Sequence, residues 1–235
     1  MNGRVRRLLR GRMLLWGWVL VFGPGWRNAG GGGEALAATA APPDPVVIAD
    51  AYARSYVYEQ SQNYLDAIRA LERVRSAYPD GYTVNLRLGW LWYLAGRPAN
   101  ALDHYEVAIR VAPESFEPRL GALLPLLAQE RYAEVESMAY AVISRDAYNY
   151  YGNLRLAVAL RLEGKISAAR AVVEKMLGAY PTDVAFLAES ARLLTAEGDA
   201  VAARARWRDV ATLDPENPAA RAALAATPGP GESGE

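Results

Sequence analysis

The chain has 235 residues, 52% of them hydrophobic, which is enough to bury a sizeable core and far from the composition of a disordered segment. Lys plus Arg equals Asp plus Glu at 26 each, but six arginines precede residue 38; the remainder carries 20 basic against 25 acidic residues, a net of −5 that argues against nucleic acid or an anionic membrane surface as the main partner of the folded part. With no cysteine and a single histidine, His104, the chain has no disulfide framework, thiolate nucleophile or cysteine-ligated metal, and no histidine-rich metal site.

The first segment has the three-part layout of a secretory signal: a basic stretch to Arg12, an apolar run from Met13 to Phe22, and small residues at Ala35-Leu36-Ala37. The apolar run is about half the roughly 20 residues that a spanning helix needs before Gly23-Pro24-Gly25 breaks it. Residues 1–37 are therefore expected to export the chain to a periplasmic or extracytoplasmic compartment, by the general or the twin-arginine route. Tethering to the membrane by an uncleaved segment is the alternative. The Gly30–Gly33 run has no preceding strand and no following Gly-Lys-Ser/Thr, so it reads as spacer rather than a phosphate loop. Residues 38–45 complete a linker.

From residue 46 the dominant signal is a repeat. Prolines at Pro79, Pro113, Pro181 and Pro215 are separated by 34, 68 and 34 residues, and the missing member falls on Ala147. Five units follow, 48–81, 82–115, 116–149, 150–183 and 184–217. Counting within each unit, position 8 holds Ser55, Gly89, Leu123, Ala157 and Ala191, and position 20 holds Ala67, Ala101, Val135, Ala169 and Ala203. Small side chains at two fixed places let a pair of helices approach closely. Larger ones fill the complementary places: Tyr58, Trp92, Leu126, Leu160 and Leu194 at position 11, and Leu71, Tyr105, Ala139, Val173 and Trp207 at position 24. Position 15 is Gly96, Gly164 and Gly198 in units 2, 4 and 5, a residue that ends one helix before a tight turn.

This pattern resembles the tetratricopeptide repeat (TPR); unit 2 reads Leu88-Gly89, Trp92, Gly96, Ala101, Tyr105, Ala108, Pro113. The resemblance covers residues 46–217. It implies an all-α, right-handed superhelical solenoid of about five helix-turn-helix units, with a capping helix over 218–227 and a disordered tail, 228–235. Unit 3 departs most: Pro125 lies inside its first helix, where a bend or loosening is expected, and Glu130 replaces the turn glycine. Asn85-Leu86-Arg87-Leu88 recurs as Asn153-Leu154-Arg155-Leu156, superimposing a 68-residue alternation on the 34-residue period.

In this family the first helices line the concave side, with ligand-facing positions 2, 5, 6, 9, 12 and 13. Carried over, these place Tyr52, Tyr56, Arg87, Trp90, Tyr93, Tyr151, Arg155, Arg161 and Arg192 in a protein-binding groove, aromatic towards its N-terminal end and basic towards its C-terminal end. Trp90 and Tyr93 face the groove or pack on neighbours; Leu86, Leu120 and Leu154 are expected to pack, and the arginines to stay exposed. The family's carboxylate clamp, a basic residue at position 5 with Asn at position 9, is absent: those places hold Tyr52 and Tyr56, Leu86 and Trp90, Leu154 and Val158.

No catalytic set emerges. His104, between Asp103 and Tyr105, reads as a surface residue, and Glu134 and Glu136 are two apart on a helix and share no face. No enzyme activity, cofactor or metal is expected. The sequence predicts an interaction scaffold or adaptor in the cell envelope that binds a peptide or helical segment of a protein partner. An accessory or regulatory subunit of an envelope enzyme or export complex, and a self-assembling homo-oligomer, are the alternatives.

Overall fold

The computed structural model describes residues 43–226, so the export segment, most of the 38–45 linker and the tail 228–235 lie outside it. Among the described residues there are twelve helices and no strand: α1 (Pro45–Gln60), α2 (Tyr64–Ala70), α3 (Glu72–Ala77), α4 (Tyr82–Leu94), α5 (Pro98–Val111), α6 (Glu117–Ala128), α7 (Tyr132–Ile143), α8 (Tyr150–Leu162), α9 (Ile166–Ala179), α10 (Val184–Ala196), α11 (Ala200–Leu213) and α12 (Pro218–Ala226). No helix among them is long and apolar enough to cross a membrane.

Local chemistry sets the ends. Asp44, Asn149, Asp183 and Asp199 each accept a hydrogen bond from a backbone N–H of the first turn that follows, offsetting donors that have no partner within the helix. α1 consequently starts at Pro45, the last residue of the expected linker, with proline in the first turn where its missing N–H costs nothing. The turn inside every unit rests on one left-handed residue at position 15. It is Gly96, Gly164 or Gly198 in three units, but Gln62 (φ 60°) and Glu130 (φ 59°) in the other two, where a side chain is held in a conformation that costs roughly 1–2 kcal/mol. The turn geometry thus survives the loss of its glycine in units 1 and 3.

The repeat pattern also accounts for the core. All five residues at position 20 and all five at position 24 are buried, as are Ser55, Gly89, Leu123, Ala157 and Ala191 at position 8. The close approach has a particular form at unit 2. Tyr105, on α5, lies with its ring against both Gly89 and Gly121; a Cβ on Gly121 would overlap the ring and sit 2.9 Å from its hydroxyl oxygen. Two local departures stand out. The second helix of unit 1 is split into α2 and α3 at Leu71, whose N–H bonds to the carbonyl of Ile68 at 3.0 Å in a tightened turn while its side chain stays fully buried. α6 runs through Pro125 without interruption, so the helix is not loosened as expected.

Successive first helices pack directly, α4 on α6, α6 on α8 and α8 on α10, whereas no second helix packs comparably on the next second helix. That asymmetry puts the first helices on the inner side of the curve. At the C-terminal end α12 covers α11, burying Ala220 beside Leu187, Ala191 and Trp207, so the last unit's apolar face is closed.

Candidate binding groove

The inner face is built from α1, α4, α6, α8 and α10. Tyr56 and Tyr151 are exposed there at 42% and 40%, while Tyr52, Trp90 and Tyr93 are half-buried. Tyr52 packs on the N-terminal core cluster and Tyr93 on the central one, and burial pushes the Tyr52 phenol up to about 12. Trp90 and Tyr93 form a tilted pair with centroids 5.9 Å apart. The indole N–H of Trp90 donates to Glu59 Oε1 at 2.6 Å, which fixes the ring on the groove wall. Leu86, Leu120 and Leu154 pack against the central core cluster.

The arginines behave otherwise than expected. Arg87 and Arg155 are buried, each 8% exposed, rather than projecting into solvent. Arg87 is engaged on several sides: Nε donates to Ser55 Oγ at 3.2 Å, Nη1 pairs with Glu59, and the guanidinium lies 3.9 Å over the Tyr56 ring, although Nη2 has no hydrogen-bond partner. Arg161 pairs with Glu189, which is fully buried and also accepts from Arg192 at 3.1 Å; Arg192 in turn sits 5.4 Å over the Trp207 ring. A fully buried carboxylate is sustained only because two guanidiniums face it.

Glu59 and Glu189 escaped a reading that looked for aromatic and basic groove residues one unit at a time. The signal that finds them is a charge of opposite sign 28 residues away, from position 12 of one unit to position 6 of the next: Glu59 with Arg87, and Arg161 with Glu189 in the reverse polarity. The four such junctions along the inner face are Glu59·Arg87, Tyr93·Gly121, Leu127·Arg155 and Arg161·Glu189. Arg155 is the exception among them. Its Nη1 donates to the Leu120 carbonyl and its guanidinium lies 5.0 Å over the Tyr151 ring, but no carboxylate among the described residues pairs with it. Burial pulls the guanidinium down to about 10, with the phenols of Tyr105, Tyr151 and Tyr93 acting in the opposite direction.

The repeated Asn-Leu-Arg-Leu segment has a structural reason. Asn85 Nδ2 donates to the carbonyls of Pro79 and Gly81, and Asn153 Nδ2 to those of Ala147 and Asn149, so each asparagine ties the start of a first helix to the preceding loop. The amide oxygens are then acceptors, filled by His104 Nδ1 at 2.8 Å and Lys175 Nζ at 2.6 Å. His104 is thus half-buried and structural, with Nδ1 as the donor, rather than a surface residue. Glu134 pairs with Arg131 and Glu136 with Lys165. No group of three or more metal-ligating side chains occurs among the described residues. Two shallow depressions of about 270 and 280 Å³, one lined by Gln62, Tyr64 and Arg97 and the other by Thr182, Arg206 and Leu213, lie open to solvent away from the inner face.

A tetratricopeptide-repeat family model matches residues 52–116. The whole array also superposes on solved structures of that fold. MamA from Desulfovibrio magneticus aligns with a TM-score of 0.65 at 13% identity, covering 76% of this chain and 99% of that one. The described residues have the fold of a tetratricopeptide-repeat solenoid. A TPR protein from Parabacteroides merdae aligns with a TM-score of 0.62 at 15% identity over 74% and 68% of the two chains. YrrB, a TPR protein with an unusual peptide-binding site, aligns with a TM-score of 0.57 at 12% identity over 72% and 87%. No curated protein matches the chain in sequence. At these identities the likeness establishes the fold alone.

Proposed function

We propose that this TPR solenoid is a non-catalytic scaffold of the cell envelope that receives a peptide or helical segment of a partner protein along its inner face. The carrying observation is the pair of exposed tyrosines, Tyr56 on α1 and Tyr151 on α8, on first helices that also carry Trp90 on α4 and the partly exposed Arg161 on α8 and Arg192 on α10. Aromatic and guanidinium groups held rigidly by packing bury much area on binding at small entropic cost. A continuous open face without an enclosed chamber suits an extended chain or helix better than a small molecule. The basic, apolar and small-residue layout of residues 1–37 supports an extracytoplasmic location.

Affinity capture from detergent-solubilised envelope tests this reading. Replacing Tyr56 and Tyr151 together with Ala is expected to release the captured partner while the circular dichroism of the array is unchanged. Retention of every partner by the folded variant overturns the groove assignment, and recovery of the native chain from the cytosolic fraction overturns the location. A second reading, self-assembly, draws on Val46, Val57 and Leu65 at the N-terminal end, exposed at 75%, 63% and 52%. A mass that rises with concentration and falls on Val57→Asp supports it.

A further inference from the structure

Three of the four inner-face junctions are locally complete. Glu59·Arg87 and Arg161·Glu189 are ion pairs, and at Tyr93·Gly121 the ring of Tyr105 occupies the space beside the glycine. At the remaining junction the places corresponding to Ser55 and Glu59 are taken by Leu123 and Leu127, both buried. Arg155 therefore stands at a charge-pair position with hydrocarbon opposite it. A guanidinium that is 92% withdrawn from solvent, with one backbone carbonyl as its hydrogen-bonded acceptor, lacks the compensation that its counterpart Arg87 has.

What surrounds Arg155 is suited to an anion. The Tyr105 phenol reaches through from the second-helix layer because Gly89 and Gly121 carry no side chain, and its hydroxyl makes no hydrogen bond among the described residues. Tyr93 and Tyr151 are close enough for Arg155 to be affected by both rings. The C-terminal half of the groove, α8 and α10, presents Arg155, Arg161 and Arg192 against Glu189 alone, whereas the chain beyond residue 38 is acidic overall. Positive charge is thus concentrated on the surface to which the ligand is assigned.

We propose that Arg155, with the hydroxyls of Tyr93, Tyr105 and Tyr151, receives a carboxylate of an acidic peptide lying in the groove. The site differs from the family's clamp in position and in residue type, since it uses position 6 of unit 4 with a phenol of the same unit and two phenols of unit 2. It rests on the groove reading above and gives that groove a chemical preference. The bound carboxylate takes the role that Glu59 plays for Arg87: it accepts from the guanidinium and from the Tyr105 hydroxyl.

An array of 15-residue peptides tests this, each peptide made with its acidic positions as Glu or as Gln and with a free or an amidated C-terminus. The native chain is expected to retain the Glu series about tenfold more strongly than the Gln series, as one charge-assisted contact provides. Dependence on the free terminus instead assigns the site to a terminal carboxylate. Leu127→Glu supplies an internal carboxylate at the place corresponding to Glu59 and is expected to abolish the preference, and the isosteric Tyr105→Phe to reduce it severalfold. Helicity and melting of each variant are measured alongside, and Tyr105→Phe, which removes one oxygen, keeps the test decisive if Leu127→Glu does not fold. Equal retention of both series by the native chain overturns the carboxylate site while leaving the groove. A preference unchanged in both folded variants overturns it as well, and retention of neither series, with partner capture insensitive to Tyr56 and Tyr151, overturns the groove reading beneath it.

Discussion

Arg87 and Arg155 occupy the same position of units 2 and 4, within the same four-residue segment, and are buried to the same degree. Their surroundings differ at three residues of the preceding unit, one of them Tyr56, which lies under the Arg87 guanidinium where unit 3 has Leu124. Arg87 meets Ser55 and Glu59, while Arg155 meets Leu123 and Leu127 at the equivalent places and turns to the Leu120 carbonyl. The repeat motif therefore fixes where a side chain goes, and the neighbouring unit decides what it can do there. In a solenoid, where each unit touches only the next, chemistry is specified at junctions rather than within units.

The largest effects should come where a junction is closed. Glu189→Leu leaves Arg161 and Arg192 without their shared carboxylate and is expected to cost about 3–5 kcal/mol in guanidinium denaturation, the loss typical of breaking a buried pair from one side. Glu59→Ala, at a pair that is partly exposed, should cost about 2 kcal/mol and free the Trp90 indole, visible as a shift in tryptophan emission. The sharpest test of the comparison is one of sign. Arg87→Met strands Glu59 and should destabilise by about 2 kcal/mol, whereas Arg155→Met removes an uncompensated charge and should leave stability within about 1 kcal/mol of native or above it. If the two substitutions cost the same, the distinction between the junctions is wrong. A double-mutant cycle of Leu127→Glu with Arg155→Met should then return a favourable coupling of about 1–3 kcal/mol.

The smallest effect concerns the two asparagines. His104, hydrogen-bonded to Asn85, has its pKa held below the ordinary 6.5 by burial and next by Arg75. Below pH 6.5 the unfolded chain binds the proton first, so stability contributed by neutral His104 is present above that pH and lost as pH falls towards its folded value. Difference melts of His104→Gln against the native chain should show this slope. Unit 4 has Lys175 in the corresponding role, and Lys175→Gln should add no slope in that window.

Much of this was legible in the sequence. Positions 8, 20 and 24 repeat every 34 residues, a small residue repeated at one register has few purposes other than close packing, and all fifteen of those residues are buried. The solenoid class followed from the same pattern. The turns at Gly96, Gly164 and Gly198 were readable as well, since each glycine takes the left-handed conformation that a tight turn needs. Arginine burial was not, since a charge on a helix is exposed by default and the acceptors that reverse this, Glu59 for Arg87 and the Leu120 carbonyl for Arg155, lie in the preceding unit. Nor was the split at Leu71, where neither proline nor glycine marks the chain, nor the continuation of α6 past Pro125 among buried leucines.

The order of the junctions couples the length of the array to its charges. Excising residues 82–149, two whole units, would splice Glu59 opposite Arg155 and rebuild an ion pair of the Glu59·Arg87 kind, with Asn153 still anchoring the new loop. Excising 150–183 alone would instead set Leu127 against Glu189, a buried carboxylate facing hydrocarbon. Loss of units 2 and 3 is thereby tolerated and loss of unit 4 penalised, so recombination between units is filtered by charge before any ligand is involved.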